Sequence, residues 1–183
     1  MKKTYLFLAE GFEEIEALTV VDLLRRAGIT CTTVSVTGKH EVTSSHGITV
    51  LADRLFEDGT LSDADMLILP GGFPGYKNLA AHEGLKKLLC SYDAEEKLIA
   101  AICGAPSVLG AHGLLKGRMA TCYPGMEAQL SGATCVRKKV VEDGHIITSR
   151  GVGTALDFAV AIIEKLAGLS KGCEVAESVL HIC

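Results

Sequence analysis

Leu98-Ile99-Ala100-Ala101-Ile102-Cys103-Gly104-Ala105-Pro106-Ser107-Val108-Leu109 is the stretch that decides how this chain folds. Its first five residues carry almost no polar atoms. A short apolar run bounded by turn residues suits a strand buried on both faces of a parallel sheet. Residues Ala105–His112 then read as helix. Pro106 suits its first turn, because the N–H that proline lacks would have no partner there. Cys103 is therefore expected at a sharp strand-to-helix turn, lifted at the carboxyl end of a central strand like a nucleophile elbow. The helix N-terminus behind it favours a thiolate, so its pKa is expected below the usual value of about 8.5. The competing reading is a buried small apolar residue, as free cysteines often are.

Upstream, Asp65–Leu69 reads as a second fully buried strand, ending in Pro70-Gly71-Gly72-Phe73-Pro74-Gly75. Paired glycines there let backbone N–H groups approach a ligand oxygen. Phosphate binding stays open, although the spacing is neither a Walker loop nor GxGxxG, and a plain tight turn fits as well. Thr4–Ala9 reads as the first strand and Glu13–Ala27 as a helix closed by Gly28. Glu13, Glu14 and Glu16 crowd the first turns of that helix, where carboxylates complement the dipole. In a doubly wound sheet the loops at the carboxyl ends converge on one crevice, so a glutamate there can face Cys103.

Thr30–Val36 reads as a strand, followed by short strands at Glu41–Ser44 and Ile48–Ala52, a loop at Asp58–Asp63, and helices at Tyr76–Ala81 and Glu83–Glu95. Downstream come a strand at Arg118–Tyr123, a short helix at Met126–Leu130, and a hairpin of Val136–Glu142 with His145–Ser149. Thr154 with Asp157 looks like a capping box for a helix through Leu166. The tail Ser170–Cys183 has an apolar period that fits packing on the body or on another subunit. The alternation predicts one α/β domain over residues 1–183. It is flavodoxin-like, with a doubly wound, mostly parallel sheet flanked by helices.

The chain has 183 residues, a formal net charge of -4 and 48% hydrophobic residues. Lysines and arginines are scattered, which argues against nucleic acid and against a polybasic membrane contact. No apolar run reaches transmembrane length, and Met1–Gly11 reads as strand, not signal peptide. Seven cysteines in scattered positions without CxxC suggest reduced thiols in a cytoplasm, not a disulfide framework. Six histidines without ligand spacing give no dedicated metal site.

Four segments together resemble the ThiJ/PfpI superfamily, and within it the branch of parkinsonism-associated deglycases. They are AEGFEEIEA at Ala9–Ala17, LILPGG at Leu67–Gly72, AAICGAP at Ala100–Pro106 and TSRGVGT at Thr148–Thr154. The resemblance implies a flavodoxin-like fold and a homodimer. It carries the reactive cysteine onto Cys103, a protonated partner onto Glu16, and an oxyanion hole onto the N–H groups around Gly72 and Gly104. Gly71 and Tyr123 would orient substrate.

It further implies a cofactor-free glyoxalase or deglycase acting on small electrophilic carbonyls or glycated side chains. Redox-responsive protection or chaperoning through the same cysteine is the alternative. A thiamine-related small-molecule binder and a peptidase are more remote readings. Two departures bear on the chemistry. A histidine common in the family before the proline matching Pro124 is here Tyr123, a poor base at neutral pH. The histidine that the protease-like branch places after the cysteine is here Gly104, which argues against peptidase chemistry. His112 should lie up the helix, away from the thiol.

Overall fold

Strands that are apolar on both faces must be covered on both sides, and the chain supplies helices for each side. The computed structural model describes residues 2–181. From the N-terminus come β1 (Lys3–Leu8), α1 (Glu14–Arg26), β2 (Thr30–Ser35), β3 (Glu41–Thr43), β4 (Thr49–Leu51) and β5 (Arg54–Leu55). Then come β6 (Met66–Leu69), α2 (Gly75–Ala81), α3 (Glu83–Ala94), β7 (Leu98–Ile102) and α4 (Pro106–Ala111). β8 (Met119–Ala120), β9 (Thr134–Cys135), β10 (Val140–Asp143), β11 (Ile146–Ser149), α5 (Ala155–Ala167) and α6 (Leu169–Ser178) complete it.

The main sheet runs β10-β11-β7-β6-β1-β2-β5. All its neighbours are parallel except the β10–β11 hairpin. Side chains divide by the two-residue period of a strand. Leu6, Leu8, Ile68, Ala100 and Ile102 join α1, α5 and α6 on one face. Tyr5, Phe7, Leu67, Leu69, Ile99 and Ala101 join α2, α3 and α4 on the other. This is the doubly wound, flavodoxin-like arrangement. The strand order reverses between β1 and β6, so their carboxyl ends open onto a crevice with that of β7 beside it.

Several local expectations are corrected. β3 and β4 fall where the two short strands are expected and pair only with each other, whereas the short edge strand β5 falls in a stretch with no strand signal. Of Arg118–Tyr123 only Met119–Ala120 is strand, paired with β9 outside the main sheet. The rest is diverted: Thr121 N–H donates to Thr148 Oγ1 at 3.0 Å and Tyr123 N–H to Cys103 O at 2.8 Å. Met126–Leu130 contracts to one 3-10 turn, Glu127–Gln129, and the hairpin's first strand starts only at Val140.

Thr154 and Asp157 make no capping box. Thr154 Oγ1 instead accepts the N–H groups of Arg150 and Gly151 at 3.2 and 3.1 Å, while Asp157 pairs with Lys139 at 2.9 Å. The tail does pack on the body, through Val175 and Ala176 of α6, whereas Cys183 lies outside the described residues. Six free cysteines lie among the described residues, and no helix there is long and apolar enough to cross a membrane.

Candidate active site

Cys103 follows β7 with φ of +65°, in the left-handed region that a residue with a Cβ enters at a cost of roughly 1–2 kcal/mol. Its backbone is clamped there from both sides. Its N–H donates to Ser149 O at 3.0 Å, and its C=O accepts Tyr123 N–H at 2.8 Å. The elbow expected from the sequence is thus formed, and the end of β11 and the loop after β8 hold it.

Glu16 comes from the first turn of α1. It shares a helical stripe with Val20 and Leu24, which are fully buried, and is itself fully buried. A glutamate at a position whose period is otherwise apolar is the sequence signal for its special place. Its Oε2 accepts Gly71 N–H at 2.8 Å, and its Oε1 has no partner. The Cys103 thiol lies beside this carboxyl, both crowding the same side of Gly71. Gly71 separates the two: a Cβ there would lie 2.6 Å from Cys103 Cβ and 2.7 Å from Glu16 Oε2.

The electrostatics correct one expectation. Burial first, then the Glu16 charge facing it, push the Cys103 thiol up to about 12, not below its usual range. The helix offers little opposition, because α4 spans only Pro106–Ala111 and starts beyond the elbow. Only the nearby N–H groups of Gly104 and Gly72 pull the other way. Burial also raises Glu16, to about 7. The pair therefore carries one negative charge above about pH 7, and a thiolate forms when the thiol proton passes to Glu16.

The dyad opens into a cleft of about 870 Å³. Gly72, Gly104 and Tyr123 line it, with Tyr123 52% exposed at its mouth. The candidate residues thus converge on one place. His112, as expected, is not among the lining residues. Ser45, His46 and Tyr76 also line the cleft, and nothing in their local sequence marked them; Arg150, from the TSRGVGT segment, joins them.

His46 sits on the turn after β3, with Nδ1 2.9 Å from Glu14 Oε1 and 3.6 Å from Glu13 Oε2. Donating a hydrogen bond to the Glu14 carboxylate raises the His46 pKa. These three offer ligand atoms within 4.8 Å of one another. The sequence showed no such spacing because the donors come from separate elements.

A model of the DJ-1/PfpI family matches residues 2–165. The chain is 43% identical over 177 residues to the Arabidopsis thaliana protein named Protein DJ-1 homolog B. The match takes in 96% of the chain but only 40% of that relative, so the chain spans less than half its length. A Caenorhabditis elegans protein named glutathione-independent glyoxalase DJR-1.2 is 34% identical over 164 residues, covering 88% of the chain and 87% of that protein. Among solved structures, Toxoplasma gondii DJ-1, described as oxidized, superposes with a TM-score of 0.94 at 35% identity, each chain covered in full.

Proposed function

Because the chain belongs to the DJ-1/PfpI family and sets a strained cysteine against a buried glutamate, we propose that it converts α-oxoaldehydes such as methylglyoxal into hydroxy acids. The similarity to a protein named as a glutathione-independent glyoxalase supports this reading. The observation that carries it is Glu16. One carboxyl oxygen is anchored on Gly71, the other is free, and the thiol lies against the group. A proton shuttle needs such an arrangement: a fixed carboxyl that receives a proton from one atom and returns it to another.

The Cys103 proton passes to Glu16 as sulfur adds to the aldehyde carbon, giving a hemithioacetal. The N–H groups of Gly72 and Gly104 receive the developing oxyanion. Glu16 returns its proton to that oxygen and, again a carboxylate, moves a proton from the former aldehyde carbon to the ketone carbon through an enediol. The former aldehyde carbon is thereby oxidised, and its neighbour reduced, within one molecule. Water cleaves the resulting thioester to the hydroxy acid and the free thiol. The electrons never leave the substrate, so the reaction calls on no cofactor. Tyr123, at the cleft mouth, orients the carbonyl through its hydroxyl. Hemithioacetals and aminals formed by α-oxoaldehydes on protein side chains present the same carbons and form the second substrate class. Peptidase chemistry gains no support, because the cleft's imidazole, His46, is engaged by Glu14 and residue 104 is glycine.

Purified protein is expected to form lactate from methylglyoxal, and Cys103→Ala to form none above background. Equal lactate from both would overturn the assignment.

Oxidation of the same sulfur is the second reading, supported by donors that would also hold sulfinate oxygens. Mild hydrogen peroxide is expected to add two oxygens to the Cys103 peptide before any other cysteine peptide, each oxygen with release of one water. Glu16→Gln should yield less sulfinate. Peptide mass mapping that finds Cys103 reduced while Cys90 or Cys135 is oxidised would sink this reading.

The chain is further proposed to pair with a second copy of itself. Ile15, Ile48 and Leu51 are 51%, 50% and 71% exposed on α1 and the β3–β4 hairpin. The two elements adjoin, since His46 Nδ1 on the hairpin turn lies 2.9 Å from Glu14 Oε1 of α1. An apolar surface of this kind is a candidate interface. Light scattering should give twice the 19.3 kDa chain mass; the single mass would refute the dimer.

A further inference from the structure

Gly104 follows the nucleophile, and its lack of a side chain is used by one neighbour. A Cβ on Gly104 would lie 2.7 Å from Tyr76 Cδ1, 3.0 Å from Cγ and 3.1 Å from Cε1. The phenol ring therefore rests against the Gly104 backbone, in space that any other residue at 104 would fill. Tyr76 stands in the first turn of α2, and its N–H donates to Gly72 O at 3.0 Å. It thus touches both Gly72 and Gly104, which line the cleft together with Cys103. Its hydroxyl has no hydrogen-bond partner within the described residues, so the ring, not the polar tip, is what the cleft uses. Phe73 extends the aromatic wall, with ring centroids 6.5 Å apart.

We propose that Tyr76 is a specificity-determining residue, a size filter that admits short substituents on the ketone carbon and rejects bulky ones. This rests on the α-oxoaldehyde reading. When the hemithioacetal oxygen occupies the Gly72 and Gly104 donors, the rest of the substrate must fit beside the nucleophile. Tyr76 bounds that space on the Gly104 side, and Tyr123 stands at the mouth. Gly104 and Tyr76 form a complementary pair, in which the absent side chain at one position admits the large one at the other.

The test compares methylglyoxal with phenylglyoxal. Tyr76→Ala is expected to raise the phenyl-to-methyl ratio of kcat/KM by about tenfold or more, whereas Tyr76→Phe keeps the wild-type ratio. A ratio cancels any loss common to both substrates. Gly104→Ala should push the ring into the cleft and depress both rates, and Tyr76→Ala combined with it should recover them. Melting curves verify folding, and Tyr76→Leu replaces Tyr76→Ala if the latter unfolds.

A readout independent of turnover is the alkylation rate of Cys103 by iodoacetamide and by N-benzyliodoacetamide, followed by peptide mass. The same variants should shift this ratio in the same direction. If wild type forms no lactate but the alkylation ratio shifts, the filter stands and the glyoxalase reading falls. If lactate forms and neither ratio moves in Tyr76→Ala, the filter is overturned and the glyoxalase reading survives.

Discussion

Glu16→Gln is expected to lower kcat/KM for methylglyoxal about a hundredfold or more while leaving the protein folded. Glutamine keeps the shape and an oxygen to accept Gly71 N–H, the 2.8 Å bond that anchors Glu16. It cannot take the thiol proton or carry one between carbons. Tyr123→Phe removes one hydrogen bond, worth roughly 0.5–1.5 kcal/mol, and should cost only a few-fold. Equal losses in the two variants would show that their roles are misassigned.

The same substitution should change stability in the opposite direction. The Glu16 pKa rises from 4.5 to about 7 on folding, chiefly through burial. At low pH the carboxyl is protonated in both states and nothing is lost. As pH rises through the ordinary value, the unfolded chain releases its proton first, and stability falls until the folded carboxyl ionises near pH 7. By then the loss is roughly 3 kcal/mol. Glu16→Gln should therefore melt higher than wild type above about pH 7 and converge with it in acid. Wild-type kcat/KM should rise through the same pH region as the shared charge forms.

Gly71→Ala is the second large expectation. Its methyl would lie 2.6 Å from Cys103 Cβ, 2.7 Å from Glu16 Oε2 and 3.0 Å from Cys103 Sγ. Cys103 Cβ cannot rotate away from its own backbone, and the Glu16 carboxyl is fully buried and tied to Gly71 N–H at 2.8 Å. The backbone is also held, because Gly71 O accepts Glu13 N–H at 2.9 Å. One of the two reactive groups must move, and displacement by about 1 Å costs on the order of a hundredfold in rate. Overpacking adds a stability loss of about 1–3 kcal/mol. A folded Gly71→Ala protein with wild-type kinetics would contradict the dyad geometry.

What was legible in the sequence followed from periodicity and turn chemistry. The apolar run at Leu98–Ile102, ended by a turn and a helix-starting proline, located the Cys103 elbow without any contact information. Glu13, Glu14 and Glu16 were legible only as a group placed after β1, and the family resemblance, not the local pattern, singled out Glu16. Failures arose where distant backbone competed with local preference. Tyr123 gives its N–H to Cys103, so an extended run became a brace instead of a ladder. Thr154 turned its hydroxyl back to Arg150 and Gly151, which removed the expected cap. The thiol pKa went astray because desolvation and a facing charge are properties of assembled surroundings. Tyr76 and His46 reach the cleft only through tertiary packing, and no local pattern announces them.

The left-handed backbone of Cys103, at φ of +65°, means that architecture and reactivity favour different residues at one position. Glycine would adopt that conformation without penalty. At position 16 the preference divides in the same way, since a neutral side chain escapes the burial penalty that raises the carboxyl. A lineage released from its chemistry would therefore drift toward glycine at 103 and a neutral residue at 16, gaining robustness as it lost reactivity. Retention of both Cys103 and Glu16 in a descendant would record selection acting on what the cleft does, because selection for folding alone would erase the pair.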